Sequence, residues 1–164
     1  MAFLIYACAT PTKTKTVKTN INVSITSHLG DNQTFRKGDS LYYFLSLDQK
    51  AYVLLIYETA EKQIIQIFPN KFVQKKTFDA VNFYRIPDKS MPLSFEVSEP
   101  FGRESIWVFA ADVPFPHTPG KETENGLKVL AVQNMLSLKK RLENISIQEN
   151  TSFGWDRATI ITVE

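Results

Sequence analysis

Few side chains in this sequence could do chemistry, and they are scattered. The only cysteine is Cys8, and the only histidines are His28 and His117. A thiolate nucleophile needs an activating base or cation beside it, and none flanks Cys8. A zinc site needs three or four ligands at recognisable spacing, and neither histidine has such a partner. The chain contains no G-x-S-x-G elbow, no H-E-x-x-H pair and no phosphate-cradling glycine loop. His28 and His117 therefore read as incidental loop residues. The sequence predicts a non-enzymatic protein with no catalytic residue, no cofactor and no metal.

Cys8 has another kind of chemistry open to it. Ile5-Tyr6-Ala7-Cys8 resembles a bacterial lipobox, in which a small residue precedes a cysteine that is lipidated after signal cleavage. Ala9 follows where an aspartate would retain the protein at the inner membrane, so the expected destination is the outer membrane, facing the periplasm. The segment before Cys8 is short and lacks a basic stretch. Residues 1–20 are accordingly read as a truncated lipoprotein signal, a lipidation site at Cys8 and a Thr/Lys-rich linker. Thr10 to Asn20 has almost nothing to bury and suits an extended, solvated tether.

Charge narrows the choice of partner. The formal net charge is +2, but Lys13, Lys15 and Lys18 all sit in the linker. Without them, 16 basic residues stand against 17 acids, which leaves the remainder near −1. Nucleic-acid binding normally needs a basic face on the fold, so it is not expected.

The elements that must position any site are mostly strands. Ile21, Val23 and Ile25 alternate with polar neighbours, the period of a half-buried strand. Further strands are predicted at 40–47, 51–57, 63–68, 82–86, 93–97, 105–111 and 157–163. Turn-forming residues such as Lys37-Gly38-Asp39, Pro69-Asn70 and Pro100-Phe101-Gly102 separate them. Gly38 suits a left-handed turn, Asp39 can hold backbone amides, and Asn70 tolerates positive φ. Short strands at this spacing point to a mainly β fold, an antiparallel β-sandwich that is immunoglobulin-like or related, over residues 21–164.

One segment departs from that rhythm. Gly126 to Glu143 is predicted as the single α-helix, with Leu127, Ala131, Leu138 and Leu142 on the stripe that covers the sandwich. Glu122 and Glu124 before it, and Lys139, Lys140 and Arg141 near its end, would complement the helix dipole. Val129, Val132 and Leu136 form a second stripe, read as the surface for a protein partner. Aromatic residues are plentiful, among them Tyr42, Tyr43, Phe44, Tyr52, Tyr57, Phe83, Tyr84 and Trp107. Core packing takes the larger share of these, and a ligand platform is the alternative.

With the segments in order, the chain resembles the bacterial family known as domain of unknown function 4384. Phe35-Arg36-Lys37-Gly38-Asp39 is similar to its opening F-x-x-G-D turn, and Ala51-Tyr52-Val53 to its central strand. Ile67-Phe68-Pro69-Asn70 resembles its L-F-P-N element, and Arg85-Ile86-Pro87 the Y-x-I-P that follows. Phe95-Glu96-Val97 with Pro100-Phe101-Gly102-Arg103-Glu104-Ser105-Ile106 resembles the closing f-x-v-x-x-P-x-G-x-E-x-v segment. The loop before Ile64 departs from the pattern, having Glu61-Lys62 where glycine is usual. The resemblance implies a β-sandwich accessory domain of envelope lipoproteins and no particular activity. The expected function is an envelope module that contacts protein partners, as a subunit of a secretion or motility assembly. The alternative is a sensor domain for a small molecule or glycan.

Overall fold

The computed structural model describes residues 20–164 apart from 74–76, 81, 90 and 92. Cys8 and nearly all of the linker lie outside the described residues. In chain order the elements are β1 (Val23–Ser27), β2 (Thr34–Arg36), β3 (Ser40–Leu41), β4 (Tyr43–Leu47), β5 (Ala51–Glu58), β6 (Ile64–Phe68) and β7 (Thr77–Phe78). There follow β8 (Tyr84–Ile86), β9 (Phe95–Glu96), β10 (Arg103–Ala111), β11 (Gly120–Glu122), β12 (Lys128–Leu130), α1 (Met135–Glu149) and β13 (Phe153–Val163).

The two longest apolar runs, β5 and β10, lie side by side at the centre of an eight-stranded sheet of order β11-β12-β6-β5-β10-β13-β2, with β7 paired to β5. Their position explains their composition. A strand covered on both faces has no polar alternation to show, and residues 53–56 and 104–111 are buried without a break. A three-stranded sheet, β1-β4-β8, packs on one face of the large sheet, and β3-β9 is a separate two-stranded ladder whose Phe95 packs against the same core. The fold is a β-sandwich with one helix in the C-terminal half. Pairing is antiparallel except between β13 and β2, which run parallel.

Two large apolar interiors result, one on each face of the large sheet, and Phe35, Leu41, Val97 and Ile160 form a smaller third cluster. Val53, Leu55, Ile106, Val108 and Ala158 meet Ile25, Leu45 and Ile86 of the small sheet. On the other face, Leu54, Ile56, Trp107 and Phe109 meet Met135, Leu138 and Leu142 of α1. Each large side chain so buried contributes roughly 1.5–3 kcal/mol.

The helix differs from its expected span of Gly126 to Glu143. Gly126 stands at φ +75 in a tight turn, where Thr123 donates its backbone N–H to Leu127 at 2.8 Å. That turn joins β11 to β12, and Val129 is a strand residue opposite Ile65 and Lys121. The helix starts only after Asn134, whose side chain accepts from the Ser137 backbone N–H at 2.8 Å and caps the first turn. It closes at Asn150, left-handed at φ 51. Leu138 and Leu142 do lie on its buried stripe, whereas Leu127 belongs to the opposite core and Ala131 is exposed. The basic run 139–141 falls mid-helix, and neither terminal turn carries the expected complementary charge.

At Gly154 the chain passes close beneath Ile21. A Cβ there would sit 1.9 Å from the Ile21 carbonyl oxygen, so only glycine admits the approach. Ile21 donates its backbone N–H to the Phe153 carbonyl at 3.3 Å, which ties the start of the sandwich to β13.

Candidate functional site

Along β4, the core-facing positions are Tyr43, Leu45 and Leu47; along β5 they include Val53 and Leu55, continuing to Tyr57. Along β10 they are Ile106, Val108 and Ala110, and the same parity extends back to Glu104. Three strands thus turn a polar-tipped side chain inward at one end of the sandwich. In the β5–β10 ladder Ile106 stands opposite Tyr57, so Glu104 is the diagonal neighbour of Tyr57.

The three tips are wired unequally. The Tyr57 hydroxyl donates to Glu104 Oε2. The Ala60 backbone N–H also bonds the carboxylate. Gly102 makes the second contact possible, because a Cβ there would already lie 3.0 Å from the Ala60 Cβ. Gly102 is itself held by Thr162, donating its N–H to Thr162 Oγ1 at 3.0 Å. The Tyr43 hydroxyl, on a residue only 1% exposed, has no hydrogen-bond partner among the described residues.

Burial dominates the electrostatics. It pushes the Glu104 carboxyl above the usual carboxylate range, while the Tyr57 and Ala60 hydrogen bonds pull partly back. Burial raises both phenols, and the Glu104 charge adds to it, so both hydroxyls stay protonated at neutral pH.

These groups line a cavity of about 310 Å³ between the sheets, at the small end of the range for ligand sites. Leu41, Ile65, Ile67, Phe95, Val97 and Leu127 supply apolar wall, and Glu96 and Glu99 stand at its margin. It holds one carboxylate acceptor and, beneath its wall, one phenolic O–H without a partner among the described residues.

The residues singled out from sequence are distributed otherwise. Val129 is half-buried in β12, Val132 packs into the helix-side core from the loop before α1, and Leu136 is 70% exposed on α1. The three do not form one stripe, because the first two are not on the helix. His28 stacks on Tyr42 with ring centres 4.1 Å apart, and His117 approaches the Lys128 ammonium at 3.4 Å. Neither lines the cavity, and no cluster of potential metal ligands occurs among the described residues. Of the aromatics, Tyr43 and Tyr57 are brought together, while Trp107 faces the helix and Phe83 the solvent.

The family-like motifs resolve into turn chemistry, with one exception. Gly38 has φ +88, and Asp39 accepts from the Arg36 backbone N–H at 2.7 Å. Asn70 works through its side chain and not through a positive φ. It accepts from Phe72 and Val73 backbone N–H groups at 2.8 and 2.7 Å and donates to the Ile67 carbonyl at 2.8 Å. Lys62 takes the left-handed position, φ 67, where glycine is usual. Glu104 is the exception. It is 7% exposed, and its carboxylate, besides holding the Ala60 N–H of the turn between β5 and β6, faces the cavity. The signal was available in the sequence as an acid two residues before Ile106, on the parity whose other positions, Ile106, Val108 and Ala110, are apolar.

Residues 34–114 match the model of a family described as "Domain of unknown function (DUF4384)". No curated protein and no solved structure matches the chain.

Proposed function

The chain belongs, over residues 34–114, to the family of domain of unknown function 4384, and from that premise we propose that it is a non-catalytic binding module taking a small, largely apolar molecule between its sheets. One observation carries the reading. Tyr43, Tyr57 and Glu104 converge on a cavity whose walls are otherwise mostly apolar, and all three lie inside the family segment. Apolar enclosure with a few placed polar groups is the usual anatomy of a ligand site. The neutral reporter N-phenyl-1-naphthylamine should brighten on binding the wild-type chain. Leu127→Trp, which fills the cavity at its half-buried wall, should abolish the signal with the fold intact by circular dichroism. Equal brightening in both proteins would end this reading.

A second reading rests on α1. Leu136 and Ile147 are 70% and 69% exposed, and eleven residues apart they return to the same helix face after three turns. This face suits a protein partner in the cell envelope, with the chain held at the outer membrane through lipid on Cys8. Leu136→Ala with Ile147→Ala should leave the melting temperature unchanged and remove any protein that co-purifies with the full chain from membranes. Cys8→Ser should release the chain from membranes. Continued association without lipid mass on the N-terminal peptide would end the anchor proposal.

A further inference from the structure

Resting on the cavity reading above, we infer that the ligand is a cationic amine on a short apolar body, its ammonium set between the Glu104 carboxylate and the Tyr43 hydroxyl. Three observations lead there. Glu96, Glu99 and Glu104 are the charged residues among the described lining, and no lysine, arginine or histidine is among them. Of the three, Glu99 already pairs with Lys37 at 3.3 Å on the surface. Glu104 is the one that lies inside.

The second observation is acceptor capacity. An ionised carboxylate offers about four lone-pair sites, and the Tyr57 O–H and Ala60 N–H take two of them. A buried charge satisfied only by neutral donors remains costly, and a cation brought by the ligand relieves that cost. A neutral molecule would leave it in place, and an anion would add repulsion.

The third observation is Tyr43. A phenylalanine would fill the same apolar volume, yet the chain buries a hydroxyl that nothing described satisfies. Such a group is expensive unless a partner comes from the cavity it lines. An ammonium has three donors, enough to meet Glu104 and the Tyr43 oxygen together. The apolar body would then lie along Ile65, Ile67 and Val97.

The test displaces N-phenyl-1-naphthylamine with three probes of one shape at pH 7: 4-phenylbutylamine, 4-phenylbutanol and 4-phenylbutyrate. The amine should act at concentrations at least about tenfold below the alcohol, as expected for a charge-assisted hydrogen bond to a largely buried carboxylate, and the acid should be weakest. Glu104→Gln keeps the shape and the Tyr57 bond, so it should still bind the reporter while amine and alcohol become equal. Tyr43→Phe should weaken the amine without lowering the melting temperature. Nα-acetyl-lysine methylamide, bearing the same ammonium on a peptide stem, separates the sources: displacement at the amine's concentration assigns a peptide lysine, and its failure assigns a free amine. Equal potency of amine and alcohol in the wild type, or a preference that survives Glu104→Gln, overturns the inference and leaves the cavity reading standing. No reporter binding at all overturns both.

Discussion

On the helix side of the large sheet, Leu54, Ile56, Trp107 and Phe109 meet Met135, Leu138 and Leu142, and the buried polar tips of Trp107, Ser105, Thr159 and Ser146 all have hydrogen-bond partners. Trp107 donates its indole N–H to Glu58 Oε2 at 3.2 Å, at the margin of that core. On the other side, the same two central strands present Val53, Leu55, Ile106 and Val108, then end in Tyr57 and Glu104 beside Tyr43. That end keeps an unfilled volume, a desolvated carboxylate and an orphan hydroxyl. The same strands thus build a closed interior on one face, and on the other an interior that opens at one end into a cavity with buried polar groups. Groups that do not serve packing are concentrated where a ligand would meet them, which is where stability is commonly given up for function.

The comparison breaks most visibly on the helix side. Leu138→Asp puts an unpaired charge into a closed apolar layer and should cost several kcal/mol, about 3–5, read as a large fall in urea midpoint. An unchanged midpoint would mean that α1 does not seal that face. At the cavity end, Tyr57→Phe removes one donor from the Glu104 carboxylate. The expected loss is about 1–3 kcal/mol, measurable by the same titration.

Glu104→Gln should move stability the other way at neutral pH. The Glu104 carboxyl is raised in the fold, so the native state holds its proton more tightly than the unfolded chain does. Its contribution is therefore greatest below the ordinary carboxylate range and is lost as pH rises through the raised value. The variant lacks that slope. Its melting temperature should exceed the wild type's at pH 8, with the gap closing toward pH 4. Asp31 is also raised, by burial and by Asp156, but its slope is common to both proteins and cancels in the difference. A gap that widens toward acid pH would reverse the assigned sign. The smallest effect is expected for Tyr43→Phe, whose lost hydroxyl bonds nothing described: a stability change within about 0.5 kcal/mol, by thermal melting.

Strand periodicity made the sandwich legible because half-buried and doubly buried strands leave distinct patterns, and β1, β5 and β10 carry them plainly. The helix was displaced because Leu127, Val129, Leu130 and Val132 satisfy both periods over so short a stretch. The pairing of β12 with β6, distant in sequence, decided for strand. The Asn134 cap, with Ser137 three residues on, was the local sign of the true start. The short β2, β7, β11 and β12 had too few residues to show a period. The parallel β2–β13 pair joins segments from opposite ends of the fold, which no local pattern reports. Of the site, the aromatics were visible as a population, but not which two would meet. Sequence parity could have flagged Glu104; the empty volume beside it depends on three strands converging.

The tie between Ile21 and Phe153 sets where a tether would join the sandwich. Phe153 pairs with Ala111 at the far end of β10 from Glu104. At about 3.4 Å per residue the two ends are some 20–25 Å apart along the strand. The linker therefore leaves the sandwich at one pole and the cavity lies toward the other. A tether at the N-terminus, as proposed for Cys8, would thus join the sandwich at the pole opposite the cavity and leave the cavity's rim clear of the anchored end.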